Sequence, residues 1–399
     1  MIKKYPKQIG VGIFKITEEA KKNVQTVLDN ERLSYGSFSQ EFEAEFAKIH
    51  EQKFSLFLNS GTSALQVALN ALKIKHNWKN GDEVLVPALT FVATVNTISQ
   101  NKLKPVFVEV DPISFNIDPK EIGKRITKRT RCIVPVSLCG LPCEIDEVNK
   151  IAKKYKLKVL EDACETMFVK HKGKAVGSKA DIACYSTYVA HMITTGVCGF
   201  VATNNKDYAI LSRSLINHGR DNIYIKIDDD KGKKGKKLAQ VMEKRFSFIH
   251  EGYSYRMTEM EAALGVVELK HWKTTLKKRK DNAEKLKKGL KEFEKYLQSP
   301  TWPKYSDHGF MMFPLVVKGI NRDKLTLFLE EMNIETRPLV PLINQPYFKK
   351  LYGDLSKKYP VADHLTKNAF YIGSHPGLTD KEIKYIICVF KEYFKKYGK

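Results

Sequence analysis

The sequence predicts an α/β protein. A large domain with a mostly parallel sheet is expected over residues 1–265, followed by a smaller α+β domain over residues 266–399. Two observations carry this. Short apolar, β-rich runs alternate with segments of helical period as far as Val201, at spacings that suit right-handed parallel crossovers. Beyond Gly265 the pattern changes to a long helix followed by a few strands and helices.

Residues 15–50 read as helices. Thr17 caps a run to about Leu28, and Ser39 with Glu43 opens the next. Phe54–Leu58 is a short strand that runs into Asn59-Ser-Gly-Thr-Ser, after which Leu65, Leu69 and Leu72 recur at helical spacing. The Gly61-Thr62 turn therefore sits at a helix N-terminus, where free backbone N–H groups and hydroxyls converge; this suits a phosphate, although Ser and Thr also cap helices routinely. Strands follow at Asp82–Pro87, Pro105–Val110, Arg131–Leu138 and Leu157–Asp162, with helices from Thr90 and over Ile145–Tyr155. Tyr208–Asn217 is helical. Residues 221–243 are polar and glycine-containing and read as a mobile loop. Thr258 and Glu261 form a capping box before a helix that reaches about Phe293. Strands near Met311–Val317 and helices near Arg322–Met332 and Asp380–Tyr397 complete the chain.

Hydrophobic residues make up 43% of the 399, enough for a core without staples. Neither a signal-peptide pattern nor an apolar run of membrane-spanning length is present, so the expectation is a soluble, cytoplasmic protein without membrane association. The seven cysteines are irregularly spaced, which favours reduced thiols over a disulfide framework; Cys139 and Cys143 are a weak zinc signal, and no metal site is expected. The net charge of +23 is spread over runs such as Lys277-Lys-Arg-Lys280. Without an aromatic-interleaved basic motif, these read as solvated surface rather than a nucleic-acid footprint, with a positive field that attracts anionic substrates as the second reading.

The stretch Asp181–Val201 carries the chemistry. An apolar strand (Ile182–Tyr185) hands over to the hydroxyls of Ser186 and Thr187, then to His191, and closes on Thr194-Thr195-Gly196 and Gly199. Alone, it fits equally a site at a strand end and a core strand followed by an ordinary loop. The preceding strand ends in Glu161-Asp162. A pyridine coenzyme needs a phosphate cradle, a ring support, an anionic partner for the ring nitrogen and a nearby base. Gly61, Thr62 and Ser186, then Phe91 and Asp162, meet the first three needs in turn, and the base is whatever residue occupies the fourth position.

Taken in order, NSGTSALQVAL, GDEVLVPALTFVATVN, PVFVEVDPISFNIDP, VLEDACE, YSTYVAHMITTG, NHGRD, GYSYRMTEMEAALG, ETRP and FYIGSHP resemble the sugar-aminotransferase family of pyridoxal-phosphate enzymes, of the DegT/DnrJ/EryC type, over nearly the whole chain. The resemblance implies the aspartate-aminotransferase fold (fold type I). It implies that Gly61, Thr62 and Ser186 hold the coenzyme phosphate, Phe91 stacks on the ring, Asp162 pairs with the ring nitrogen and Glu165 lies near the ring hydroxyl. It implies a homodimer in which the segment around Ser254 reaches the neighbouring subunit's phosphate. Arg337, His218 and Arg220 are the expected substrate-binding residues, with Arg337 suited to bidentate contact with a carboxylate or phosphate.

Family aminotransferases carry a lysine at the position of His191, and imidazole cannot replace it as a covalent anchor. The exchange resembles the nucleotide-sugar 3-dehydratase subgroup, of the GDP-4-keto-6-deoxymannose 3-dehydratase type. That subgroup implies pyridoxal or pyridoxamine phosphate as cofactor, L-glutamate as co-substrate, a nucleotide-linked 4-keto-6-deoxyhexose as substrate, and His191 as the base. Some members hold an iron–sulphur cluster through cysteines before the Gly-Tyr motif. This chain has no cysteine between Cys198 and Cys388, so no cluster is expected. Two positions depart from the family: Gly196-Val-Cys-Gly199 lacks a glutamate, and Ser254 replaces asparagine. An aminotransferase and a catalytically silent homologue are the alternative readings.

Overall fold

A seven-stranded sheet, in the order β1-β9-β8-β5-β4-β2-β3, forms the centre of the molecule. Its strands are β1 (Phe54–Leu58), β2 (Glu83–Pro87), β3 (Lys104–Val108), β4 (Thr130–Ile133), β5 (Lys158–Asp162), β8 (Ile182–Ser186) and β9 (Gly199–Thr203); β6 (Lys170–His171) and β7 (Lys174–Ala175) form a separate hairpin. The run from β3 to β8 is parallel, and β9 lies antiparallel to both its neighbours. Every residue of β2, β8 and β9 is buried, as expected of strands covered on both faces, which therefore read as continuous apolar runs. The computed structural model describes residues 2–221, 232–244 and 246–398.

The helices are α1 (Glu18–Asp29), α2 (Ser37–Ile49), α3 (Gly61–Lys75), α4 (Val92–Gln100), α5 (Pro119–Ile122), α6 (Ile145–Tyr155), α7 (Lys206–Ile216), α8 (Gly235–Lys244), α9 (Glu259–Leu290), α10 (Arg322–Glu331), α11 (Pro346–Tyr352), α12 (Pro360–Asn368) and α13 (Asp380–Tyr397). Thr17 caps α1 through a bond from Ala20 N, and Thr258 with Glu261 forms the capping box of α9. The start of α2 differs from expectation. Ser39 lies inside the helix and Gly36 is its N-cap. The Glu259 carboxylate, from the start of α9, accepts from Gly36 N at 2.5 Å, Ser39 N at 3.1 Å and Ser39 Oγ at 2.5 Å. A distant carboxylate thus does the work expected of a local hydroxyl.

A four-stranded sheet, β10-β11-β13-β12, lies in the C-terminal part, with β10 Leu297–Gln298, β11 Phe313–Val317, β12 Arg337–Pro338 and β13 Ala369–Ile372. It packs with α10, α13 and the end of α9 around Phe313, Phe370, Ile386 and Phe390. The expected boundary at residue 265/266 falls inside α9, which serves both cores. Its Ala262, Val266, Leu269 and Leu276 join the large core; its Ala283, Leu286 and Leu290 join the smaller one, as does Ile9 from the N-terminus. Met311, Leu339, Phe348 and Leu365, all beyond α9, also join the large core, so the two cores share the C-terminal part of the chain.

The loop expected over 221–243 is in part a helix, α8, whose lysines had masked its pattern. Residues 222–231 lie outside the described residues. All seven cysteines are free, and no group of three metal-ligating side chains occurs among the described residues. Among those residues no helix is long and apolar enough to cross a membrane.

Candidate active site

The strand ends of β5 and β8, the N-termini of α3 and α4, and the 337–345 segment enclose a cavity of about 640 Å³. Gly61, Thr62, Phe91, Asp162, Glu165, Ser186, His191 and Arg337 all line it. The sequence-predicted residues of one chain thus converge, with three exceptions. His218, Arg220 and Ser254 lie outside this cavity. Ser254 pairs with Asn217 as an isolated bridge, and His218 N donates to Tyr253 O at 2.9 Å. His218 and Ser254 are exposed.

The phosphate end is built by close backbone approach. Ser60 caps α3, its hydroxyl accepting from Ser63 N. A Cβ on Gly61 would lie 2.8 Å from Ser186 Cβ and 3.1 Å from Cys164 Sγ, and one on Gly199 would lie 2.6 Å from Gly61 N. Only glycine lets the helix start seat against both strand ends. The result is a helix N-terminus flanked by Thr62 and Ser186 hydroxyls, which suits a phosphate.

At the other end, Asp162 is buried. Its Oδ2 accepts from Thr94 Oγ1 at 2.7 Å and its Oδ1 from Cys164 N at 3.1 Å. Burial raises its pKa, against those hydrogen bonds. No ion pair to Asp162 occurs among the described residues, so the cavity holds a buried carboxyl without a cation. Phe91 is 58% exposed beside it, an aromatic face at the cavity mouth. A phosphate cradle, an open aromatic face and an uncompensated carboxyl fit a flat phosphorylated pyridine with a protonated ring nitrogen.

Glu165 Oε2 accepts from Cys139 N at 2.9 Å, and burial pushes the carboxyl up to about 7. Arg337 is ion-paired to Glu335, whose other oxygen accepts from Val11 N at 2.8 Å. The Arg337 side chain stays 52% exposed at the mouth.

His191 stands on a loop closed at its base. Thr187 and Thr195 share a hydroxyl hydrogen bond of 2.6 Å, and Thr195 N donates to Thr187 O. The His191 Nδ1 is buried without a hydrogen-bond partner among the described residues. Desolvation first, and the Arg279 guanidinium second, push its pKa down to about 4. The ring is therefore neutral at pH 7, the form that accepts a proton. Among the described residues lining the cavity there is no lysine.

Sequence reasoning missed Thr94, although it lies three residues past Phe91 in the same helix turn. It also missed Tyr188, Gln345 and Tyr371, which line the cavity without a motif of their own.

The model of the DegT/DnrJ/EryC1/StrS aminotransferase family matches residues 15–391. The chain belongs to this family. It is 34% identical over 376 residues to the lipopolysaccharide biosynthesis protein RfbH of Salmonella typhimurium, covering 91% of this chain and 86% of that one. It is 31% identical over 382 residues to the GDP-perosamine synthase of Escherichia coli O157:H7, covering 95% and 96%. The structure of E. coli GDP-4-keto-6-deoxy-D-mannose-3-dehydratase with bound hydrated PLP superposes with a TM-score of 0.83 at 27% identity, covering 95% of this chain and 98% of that one. This family member thus has the aminotransferase-like α/β fold predicted for it. Its relatives include both a synthase and a dehydratase.

Proposed function

We propose that this protein is a pyridoxal-phosphate-dependent 3-dehydratase of nucleotide-linked 4-keto-6-deoxyhexoses. It removes the C3 hydroxyl to give a 4-keto-3,6-dideoxy sugar. The observation that carries the reading is the pairing of a pyridine-shaped site with an imidazole and no lysine among the described residues lining it. Without a lysine, the coenzyme has no covalent tether and the base is His191.

Gly61, Thr62 and Ser186 would hold the phosphate, Phe91 would support the ring, and Asp162 and Glu165 would serve its nitrogen and hydroxyl. When bound, pyridoxamine phosphate, regenerated with L-glutamate, would supply an amine reactive toward the sugar ketone and a ring able to accept negative charge. Asp162, kept from water and held by Thr94, stabilises positive charge on the ring nitrogen. His191, neutral at pH 7, takes up a proton at a ring nitrogen and returns it to the departing C3 oxygen, which leaves as water. The product keeps its C4 ketone, and nitrogen leaves as ammonia.

Arg337, at the mouth, grips the anionic part of the substrate or of glutamate. Its pairing with Glu335 aims it while leaving much of the guanidinium open to solvent. His218, Arg220 and Ser254 lie outside this chain's cavity; the family resemblance implies a homodimer in which the Ser254 segment reaches the second copy's phosphate, and we extend that role to the neighbouring His218 and Arg220. Mass spectrometry of products from a panel of 4-keto-6-deoxy nucleotide sugars with glutamate tests the reading. A product lacking one oxygen supports it, and an aminosugar points to transamination instead.

A further inference from the structure

Lys277-Lys-Arg-Lys280 reads in sequence as a solvated basic run, yet its Arg279 is 3% exposed. The guanidinium reaches from α9 into the active-site region. Its Nη2 donates to His191 O at 2.9 Å, and its Nη1 donates to Met311 O at 2.8 Å and Phe310 O at 3.3 Å. Three turns earlier on the same helix, Glu268 Oε2 accepts from Thr194 N at 3.3 Å. One rigid helix therefore holds the His191 loop at two points, one at the histidine itself and one three residues on. Arg279 also joins that loop to the 310–311 strap, whose Met311 lines the same cavity.

We infer that Arg279, supported by Glu268, is the positioning residue that fixes the His191 ring for proton transfer. The inference rests on His191 being the base. A planar fork that donates to three carbonyls is a geometry lysine cannot reproduce. Burying a guanidinium is costly, and here its hydrogen bonds go to backbone carbonyls rather than to a carboxylate. That cost is consistent with a part in holding this loop. The charge also acts on the ring: it is the second cause, after desolvation, of the lowered His191 pKa. The other groups that bear on this assembly are the Ser186 backbone, which raises the His191 pKa against the two lowering causes, Tyr188, edge-on to His191 at 5.8 Å, Glu268, whose charge raises the pKa of Arg279, and His375, whose pKa Arg279 lowers.

The test uses the full chain labelled at histidine Cε1 and titrated by NMR, with the His191 signal identified by its loss in His191→Asn. The same proteins, loaded with pyridoxal phosphate and glutamate, are assayed on a nucleotide-linked 4-keto-6-deoxyhexose. Arg279→Met is expected to raise the His191 midpoint by about one pH unit. It should lower kcat by about tenfold or more while KM stays within about twofold. Arg279→Lys keeps the charge, so the midpoint stays near wild type and part of kcat returns. Glu268→Leu lowers kcat without raising KM, whereas Glu268→Gln, whose amide oxygen still accepts from Thr194 N, keeps it. A folded Arg279→Met protein with wild-type midpoint and kcat overturns the inference. If Arg279→Met does not fold, wild-type kcat in both Arg279→Lys and Glu268→Leu overturns it. Should the wild type turn over no sugar while the midpoint still moves, the dehydratase reading fails and the brace stands.

Discussion

Thr94 Oγ1 donates to Asp162 Oδ2 at 2.7 Å, joining the first turn of α4 to the end of β5 beneath the cavity. The hydroxyl also lies 3.0 Å from Thr90 Oγ1, so a short chain of hydroxyls supports the carboxyl. This bond favours the ionised form of Asp162 against a burial that opposes it.

Replacing Thr94 by valine keeps the shape and removes the donor. The carboxylate then loses a hydrogen bond worth about 1.5–3 kcal/mol to a charged group, and its pKa rises further. Pyridoxal phosphate affinity, followed by absorbance titration, should fall about tenfold or more on that scale. Thr94→Ser should restore most of it. Equal affinity in Thr94→Val and wild type would contradict this role.

Glu165 gives a pH signature. Burial raises its folded pKa from the usual carboxylate value to about 7. The folded state therefore binds this proton more tightly than the unfolded state does. Its stabilisation is complete below about pH 4.5 and is lost as pH rises to about 7, by on the order of 3 kcal/mol. Glu165→Gln still accepts from Cys139 N and carries no proton to lose. Urea unfolding of the coenzyme-free proteins should show the wild type losing stability relative to Glu165→Gln across that window. A constant difference between pH 5 and 8 would contradict the assignment. The histidines His50, His191 and His375, held low at about 4, act in the opposite sense on acidification and cancel in the comparison.

The fold and much of the site are legible in the sequence because their signals are local. Strand ends at Asp162 and Ser186, and the Gly61-Thr62 turn before a leucine-patterned helix, are each set by neighbours within a few residues. Most of what escaped is long-range. Ser39 has the look of an N-cap, but Glu259, 220 residues away, supplies the acceptor for the start of α2. Arg279 sits among lysines that are exposed or half-buried and differs from them in the direction it points from α9. The helix α8 is hidden by its lysines, since a polar amphipathic segment reads like a loop when its apolar face is narrow.

His191 admits two informative substitutions. His191→Asn removes the proton acceptor and should lower dehydration by about 100-fold or more at pH 7.5, with the thermal midpoint near wild type. His191→Lys places an amine where the resemblance implies an anchor. Borohydride treatment followed by peptide mass spectrometry should then find the coenzyme attached at position 191, with dehydration suppressed. Full dehydration by His191→Asn would remove His191 from the reaction.

The most direct test of the account follows the nitrogen. The wild-type protein is supplied with pyridoxal phosphate, 15N-labelled glutamate and a nucleotide-linked 4-keto-6-deoxyhexose, and the label is located by mass spectrometry and NMR. A 3-dehydratase releases the 15N as free ammonia and leaves a nitrogen-free, C3-deoxygenated sugar; 15N retained at C4 of a sugar that keeps its C3 hydroxyl would contradict that assignment.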